Sequence, residues 1–441
     1  MSTEDGTDYE IGQDNIKTSI GPFGLDIHNP VFLISGLAIF AFVIGTLMVP
    51  EAASELFKAM RTWVTVKFDW FFLLAGNIFV LFCLLLIVTP MGKIRLGGAD
   101  AKPDYGYAGW FAMLFAAGMG IGLMFFGVSE PISHYGSSVA ATAGSPESWA
   151  PLMGAAGNPA EAAKLGMAAT IYHWGLHPWA MYAVVALALA FFTYNKGLPL
   201  SLRSAFYPIF GDAVWGWVGH VIDTVAVLAT LFGLATSLGF GASQANAGLN
   251  FLFGISDSDG TKILLIIGIT AVALISVMRG LDGGVKRASE INMVLAFLLL
   301  LFVLFVGPTA DLVSGFFTGL AAYAVNLPAL SNPFGRTDAN FSQGWTAFYW
   351  AWWISWSPFV GMFIARVSRG RTVREFIICV LLIPSLVCIL WMTTFGGTAL
   401  HQIVQDGYEG VQKAGTALRL FEMLSQLPMT QITSGIGIIL V

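Results

Sequence analysis

Long apolar runs, separated by short polar connections, recur along almost the whole chain. A run of about 20 apolar residues forms a helix long enough to cross the roughly 30 Å of hydrocarbon in a bilayer. Only helices and closed barrels satisfy the backbone hydrogen bonds inside lipid, so the runs predict an all-α integral membrane protein. The predicted spans are Val31–Val49, Phe71–Val88, Trp110–Val128, Met167–Thr193, Ile222–Phe240, Ile263–Val277, Ile291–Val306, Trp345–Ile364 and Phe376–Phe395.

A tenth apolar run begins near Ile432 and ends with the chain at Val441. A helix of about ten residues rises only about 15 Å, which is half of the hydrocarbon thickness. We therefore expect helices 1–9 and the start of helix 10, and a sequence truncated before the end of helix 10.

Polar segments divide the chain into a predicted tail and a membrane domain. Residues 1–29 are polar and acidic, which favours a disordered cytoplasmic tail, and residues 30–441 form the predicted transmembrane domain. Gly136–Leu165 is rich in small residues and is interpreted as an outside loop. The amphipathic segment Asp311–Asn326 is short for a span, so we expect it to lie in the membrane interface.

Composition supports the membrane assignment and narrows the function. Charged residues make up 11% of the chain and hydrophobic residues 56%, whereas soluble domains carry about 25% charged residues. The larger share of the 21 Lys and Arg residues falls in connections on the side of the N-terminus, which predicts a cytoplasmic N-terminus. The net charge of −5 argues against nucleic-acid binding. The three cysteines lie singly in apolar runs and indicate neither a disulfide framework nor a metal pair.

Five tryptophans crowd into the fifteen residues of Gly344–Pro358. Aromatic faces attract cations, so a group of them can hold a quaternary ammonium. The alternatives are a packing seam or an interfacial belt, but a belt lies at a helix end and this cluster extends well inside the run. Spacings of four, three and four residues place four aromatic residues on one helix face, namely Trp345, Tyr349, Trp352 and Trp356. Trp353 lies beside that face. Set against the other motifs, Trp345 and Trp350 are interpreted as packing residues.

Three alternating glycines interrupt the third predicted span, at Gly118, Gly120 and Gly122. Each glycine weakens a helix by roughly 1 kcal/mol relative to alanine, so we expect the helix to unwind here. Backbone groups freed inside a membrane are tolerated where they line a cavity, and transporters use them to bind carboxylates and sodium. The alternative is close helix packing through Gly118 and Gly122. Glu130 and Pro131 are predicted to end this span, with Glu130 as an interfacial or gating residue.

The fourth span opens with Trp174, Trp179 and Tyr182, which fall within an arc of roughly 140° on a helix of 100° per residue. His173 and His177 have the i, i+4 spacing of a zinc pair. A glutamate between them, as in HExxH, and a nearby third ligand are both missing from the sequence. We therefore predict structural or pore-facing histidines, no transition metal and no enzyme activity.

No Asp, Glu, Lys or Arg stands in the middle of these three predicted spans. An unpaired net charge at mid-membrane is costly, so a ligand bound here is expected to be neutral or zwitterionic. A trimethylammonium carboxylate fits this condition, with its cation on the rings and its carboxylate on the glycine backbone.

The motif GWTAFYWAWW closely resembles the signature of the betaine/carnitine/choline transporter family, apart from Ala347, where a larger aliphatic residue is usual. The resemblance covers essentially the whole membrane portion. It implies a leucine-transporter-like fold, with two N-terminal helices followed by two inverted five-helix repeats, helices 3–7 and 8–12. It also implies a multi-pass protein of a bacterial-type inner membrane and a homotrimer.

Site residues are carried over from the family motif by motif. The resemblance implies an aromatic cage of Trp174, Trp179, Tyr182 and Trp353 around the substrate. Trp352 and Trp356 would line the site or the inner pathway, and Gly118, Gly120 and Gly122 would approach the substrate carboxylate. Family members that carry choline tend to have an aspartate at the position of Gly122, so its absence favours betaine-like zwitterions.

The resemblance further implies sodium as coupling ion, with no other cofactor. One sodium site would use the carbonyl groups of Ala116 and Met119. A second would use Thr230 and Phe359, although Leu234 stands where another threonine would help. The predicted function is sodium-coupled import of glycine betaine or a related zwitterionic solute by alternating access. The alternative is a sodium-independent carnitine- or choline-type exchanger; an enzyme, a channel or a sensor is disfavoured.

Overall fold

Helices dominate the computed structural model, which describes residues 9–21, 23–118, 120–140, 155, 157–278, 286–336 and 338–441. The α-helices are α1 Val31–Met48, α2 Pro50–Val88, α3 Tyr107–Gly118, α4 Ile121–Ala140, α5 Pro159–Trp174, α6 Leu176–Tyr194, α7 Tyr207–Phe210, α8 Trp217–Phe253, α9 Asp259–Met278, α10 Lys286–Val306, α11 Thr309–Ser331, α12 Ala339–Phe341, α13 Ala347–Val367, α14 Val373–Val404, α15 Gly410–Lys413, α16 Arg419–Ser425 and α17 Thr430–Leu440. Short 3-10 segments occur at Pro90–Lys93, Leu202–Phe206 and Gly211–Trp215, and a π-helical turn at Ser342–Thr346.

Eight helical segments in the described part of the chain have the length and apolar character to cross a membrane, counting α5 and α6 together. This confirms the prediction of an all-α membrane protein. The others are α1, α2, α8, α9, α10, α11 and α14. The helix α2 continues the second predicted span, Phe71–Val88, backward to Pro50, and its 39 residues rise about 58 Å at 1.5 Å per residue.

The helix α11 corrects the interpretation of Asp311–Asn326 as too short to cross. It has 23 residues and continues through Pro328 to Ser331, and its composition is apolar enough for a span. The length of this segment therefore no longer supports the prediction that it lies in the membrane interface.

A short β-hairpin corrects the prediction of a disordered tail for part of residues 1–29. β1 Asn15–Ile20 pairs antiparallel with β2 Phe23–His28, in a register that sets Lys17 opposite Asp26. The amide of Asn15 also donates to the Asp26 carboxylate at 2.7 Å. Cross-strand pairs of opposite charge stabilise such a ladder. The acidic composition of the segment concealed this local pairing.

The chain folds as two compact units. The first comprises Met1–Trp110, Ala180–Leu234 and Ala347–Val380, and the second Phe111–Trp179, Ala235–Thr346 and Leu381–Val441. Within the first unit α2 packs on α1 and α13. Trp350 of α13 is fully buried there, and a Cβ at Gly76 of α2 would lie 2.7 Å from its indole nitrogen. This confirms Trp350 as a packing residue. Within the second unit α5 packs between α4 and α11, and α16 packs on α4.

A buried arginine in the first unit joins the segment after α2 to the start of α14. Arg371 is 4% exposed and pairs with Glu375 at 2.8 Å. Its other terminal nitrogen donates to the carbonyl of Tyr105 at 2.6 Å. Its guanidinium carbon lies 4.4 Å from the ring centroid of Tyr107 and 4.5 Å from that of Trp110. The group is thus held by ionic, backbone and cation–π contacts at once.

Candidate functional site

The third predicted span breaks where its glycines are concentrated. The helix α3 ends at Gly118, Gly120 forms a bend, and α4 begins at Ile121. The carbonyl of Gly120 accepts the amide of Leu123 at 3.0 Å, which starts the next helix. The predicted interruption is confirmed. Met119 lies outside the described residues, and contact of the three glycines with a carboxylate stays a prediction.

Aromatic rings in the first unit form a corner between α6 and α13. The rings of Tyr182 and Trp353 lie 5.3 Å apart at 77°, and Trp352 stacks beside Trp353 at 6.2 Å and 24°. Tyr182 is 3% exposed, whereas Trp353 remains partly exposed. Perpendicular rings present two faces to one point, which is the geometry that a rounded cation such as trimethylammonium can use. The structure thus brings together two of the predicted cage residues.

The other tryptophans of the motif separate into different environments. Trp356 packs against α8, where a Cβ at Gly233 would lie 3.0 Å from its indole nitrogen. Its ring centroid lies 5.5 Å from that of Phe359. Trp345 lies in the π-helical turn of the second unit, 4.7 Å from the ring of His134. A π-turn has more residues per turn than an α-helix, so the predicted stripe from Trp345 through Trp356 on one face is wrong at its first position.

The fourth span is also interrupted, and this changes the predicted arc. The helix α5 ends at Trp174, Gly175 links it to α6, and both Trp179 and Tyr182 lie on α6. A Cβ at Gly175 would lie 2.7 Å from the carbonyl oxygen of Ile171, so the close turn requires glycine. The arc computed for one continuous helix is therefore wrong. Trp174 and Trp179 are both buried within the second unit.

Glu130 lies inside α4 and not at its end, since the helix continues to Ala140. The side chain of Glu130 is fully buried, as are His134 and His173 within 1%. The prediction that Glu130 and Pro131 end a helix is wrong, because α4 continues past both residues; the role of Glu130 as an interfacial or gating residue stays a prediction. The predicted span Trp110–Val128 contains no charged residue, and Glu130 lies two residues beyond its end. The i, i+4 spacing of Glu130 and His134 in the sequence is the signal that could have revealed the pair.

The same cluster bears on metal binding. Glu130, His134 and His173 offer one oxygen and two nitrogen atoms within 4.8 Å of one another. The oxygen of Glu130 lies 2.6 Å from Nδ1 of His173, whereas two ligands on a tetrahedral zinc with bonds of about 2.0–2.1 Å stand about 3.3 Å apart. The short distance is that of a direct hydrogen bond, so the geometry favours a hydrogen-bonded network over a transition-metal site.

Two of the predicted sodium residues line one cavity of the first unit. Thr230 and Phe359 face a space of about 380 Å³, together with Ser201 and the ion pair Arg203–Asp223. The hydroxyl of Thr230 donates to a carbonyl one turn earlier at 2.8 Å, which leaves its lone pairs as acceptors for a cation. Hard cations prefer such oxygen atoms. The ion itself stays a prediction.

The carbonyl groups of Ala116 and Met119 stay predicted sodium ligands. Ala116 lies near the end of α3 with a partly exposed side chain, and its proposed partner Met119 lies outside the described residues. Leu234, where a second threonine would help, is 42% exposed.

Comparison with known proteins identifies the family. Residues 30–441 match the BCCT family, described as the betaine/carnitine/choline family transporter. A glycine betaine/proline/choline transporter of Vibrio parahaemolyticus is 64% identical over 438 residues, which cover 99% of this chain and 79% of that protein. Glycine betaine transporter 1 of the same organism is 54% identical, covering 99% and 81%. Glycine betaine transporter OpuD of Bacillus subtilis is 44% identical, covering 91% and 76%. The chain therefore belongs to the betaine/carnitine/choline transporter family, and it is a multi-pass membrane transporter, not an enzyme.

Proposed function

We propose that this protein imports glycine betaine, or a related quaternary ammonium or sulfonium zwitterion, by sodium-coupled alternating access. The observation that carries the proposal is the perpendicular pair of Tyr182 and Trp353, beside the stacked Trp352. The names of the three relatives described above each include glycine betaine, which supports the same substrate class. The proposal includes an inner-membrane homotrimer with a cytoplasmic N-terminus.

The two ends of the substrate require different groups. The ring faces of Tyr182 and Trp353 attract the ammonium, with Trp174 and Trp179 as further cage residues by family resemblance. The first turn of α4, which begins at Ile121, would offer its backbone N–H groups to the carboxylate. A zwitterion bound in this way brings no net charge into the membrane.

Uptake of labelled glycine betaine into liposomes tests the proposal. We expect uptake by the reconstituted full-length protein under an inward sodium gradient, and almost none when potassium replaces sodium. Equal exchange in both ions would reject sodium coupling and support the carnitine- or choline-type exchanger. A panel of unlabelled competitors, namely dimethylsulfoniopropionate, ectoine and proline betaine, then defines the substrate.

Thr230→Ala is expected to raise the sodium concentration for half-maximal uptake about tenfold, because it removes one oxygen ligand of the proposed site; a tenfold change corresponds to about 1.4 kcal/mol of binding free energy. Sodium titration of betaine uptake measures the effect. Thr65→Ala removes a hydroxyl of α2 that likewise donates to a carbonyl of its own helix and does not line this cavity, and it should leave the sodium dependence unchanged. An identical sodium curve for Thr230→Ala would remove Thr230 from the proposed site.

Gly122→Asp is expected to increase choline uptake relative to betaine. Choline lacks a carboxylate, so a fixed aspartate would supply the missing counter-charge, while it would repel the carboxylate of betaine. One relative is named for choline as well as betaine, so the wild-type ratio of labelled choline to betaine uptake is the baseline. A ratio that does not increase would contradict the role assigned to Gly122.

A further inference from the structure

We propose that Glu130 is a positioning residue that orients the indole of Trp174 and makes its ring face more attractive to the substrate cation. This inference rests on the proposed function, in which Trp174 is a cage residue. Glu130, Trp174 and the groups that surround them all belong to the second unit.

Three N–H groups converge on the buried carboxylate of Glu130. Trp174 donates its indole N–H to Oε2 at 2.6 Å. Nδ1 of His173 lies 2.6 Å and Nε2 of His134 lies 3.2 Å from Oε1. An indole N–H can only donate, and an ionised carboxylate accepts at both oxygens, so the ionised form of Glu130 satisfies this arrangement. Hydrogen bonds to a charged acceptor are about twice as strong as neutral ones.

His173 is held between Glu130 and Thr346. Its Nδ1 faces Glu130 and its Nε2 lies 2.9 Å from the hydroxyl of Thr346, so Nδ1 can donate to the carboxylate while Nε2 accepts from the hydroxyl. A buried carboxylate is tolerated where its oxygen atoms are hydrogen-bonded, and the nitrogen atoms of Trp174, His173 and His134 meet this condition at Glu130.

Other ionisable groups surround the network. His177 follows His173 by one turn, and the positive charge of Arg336 interacts electrostatically with His173. Arg336 is paired with Asp338 at 2.6 Å. Arg419 of α16 donates to the carbonyl of Ser129 and the hydroxyl of Ser133, which flank Glu130 along α4. Glu130 is the carboxylate that contacts the indole.

The hydrogen bond has two consequences for Trp174. It fixes the rotation of the ring, because the indole nitrogen must point toward α4 to reach Glu130. It also draws the indole proton toward a negative charge, which increases the electron density of the ring and strengthens its attraction for a cation. A neutral acceptor would preserve the orientation and lose most of the second effect.

Glu130→Gln and Trp174→Phe separate these effects in the full-length protein. The glutamine keeps an acceptor of the same shape, and the phenylalanine keeps a ring without the N–H donor. We expect each to raise the KM for betaine about tenfold. The double variant should be no worse than the single ones, because both remove the same interaction. Trp391→Phe removes another buried indole donor, which bonds the carbonyl of Leu123 at 3.0 Å, and should leave the KM unchanged.

The maximal rate of uptake gives a second readout, because loss of folded protein would lower that rate. We expect Glu130→Gln to raise the KM and to keep the wild-type maximal rate per folded molecule. A wild-type KM in Glu130→Gln, or multiplied effects in the double variant, would overturn the inference. Absence of betaine uptake by the wild type would instead reject the proposed function.

Discussion

Trp353→Ala is expected to abolish measurable uptake of glycine betaine. Trp353 forms the ring corner with Tyr182 and is stacked on Trp352. A desolvated cation–π contact contributes about 2 kcal/mol, and truncation also admits water to the place of the ring. Together these losses correspond to a fall in affinity of well over tenfold. Equilibrium binding of labelled betaine to purified protein, followed by uptake in liposomes, measures both steps.

Two further variants make the result specific to the ring. Trp353→Phe keeps an aromatic face and should retain part of the binding. Trp63→Ala removes a tryptophan of α2 that is 57% exposed, and should bind betaine as the wild type does. Retention of wild-type affinity by Trp353→Ala would exclude this residue from the substrate site.

Arg371→Ala is expected to destabilise the protein severely. The guanidinium is buried among Glu375, the carbonyl of Tyr105 and two aromatic rings. Removal of one partner of a buried ion pair costs about 3–5 kcal/mol, because the remaining partner is left uncompensated. Thermal unfolding in detergent, with the yield of monodisperse protein, measures the loss.

A nearby arginine provides the matched control for Arg371. Arg369 is two residues earlier, and its ion pair with Asp104 is 3.6 Å long between half-exposed side chains. Exposed pairs contribute about 0–1 kcal/mol, so Arg369→Ala should unfold close to the wild-type temperature. Arg371→Lys keeps the charge but loses the planar group that contacts both rings, and should rescue stability only in part. Equal stability of Arg371→Ala and Arg369→Ala would contradict the assigned role of the network.

The two helix interruptions differ in how well the local sequence predicts them. The glycines around Gly120 predict a break, and the structure has one between α3 and α4. The break at Gly175 is less evident in the sequence, because Pro178 is the stronger signal and yet lies within α6. Proline fits the first turn of a helix, where its missing N–H has no partner to lose. A helix boundary thus depends on which residue the tertiary structure places in the turn.

Burial of polar residues depends on partners that are remote in sequence. Glu130 is interpreted from the sequence as the end of a span, since a lone carboxylate in lipid is costly. In the structure its partner His173 is 43 residues away along the chain and lies on the neighbouring helix α5. Arg371 likewise contacts Tyr105, which is 266 residues away. The local sequence pattern around one residue does not show which remote residue will contact it.

The sequence by itself determined that lipid surrounds the helices, that the protein is all-α, that a helix is interrupted near Gly120 and that α13 is rich in aromatic residues. These properties follow from apolar run length, glycine content and residue type, which act within a few turns of a helix. Only the tertiary structure decided that Tyr182 meets Trp353 and that Glu130 accepts the indole N–H of Trp174. The reason is that burial, ring angles and hydrogen-bond partners arise between helices whose contacts are set by packing over the whole chain.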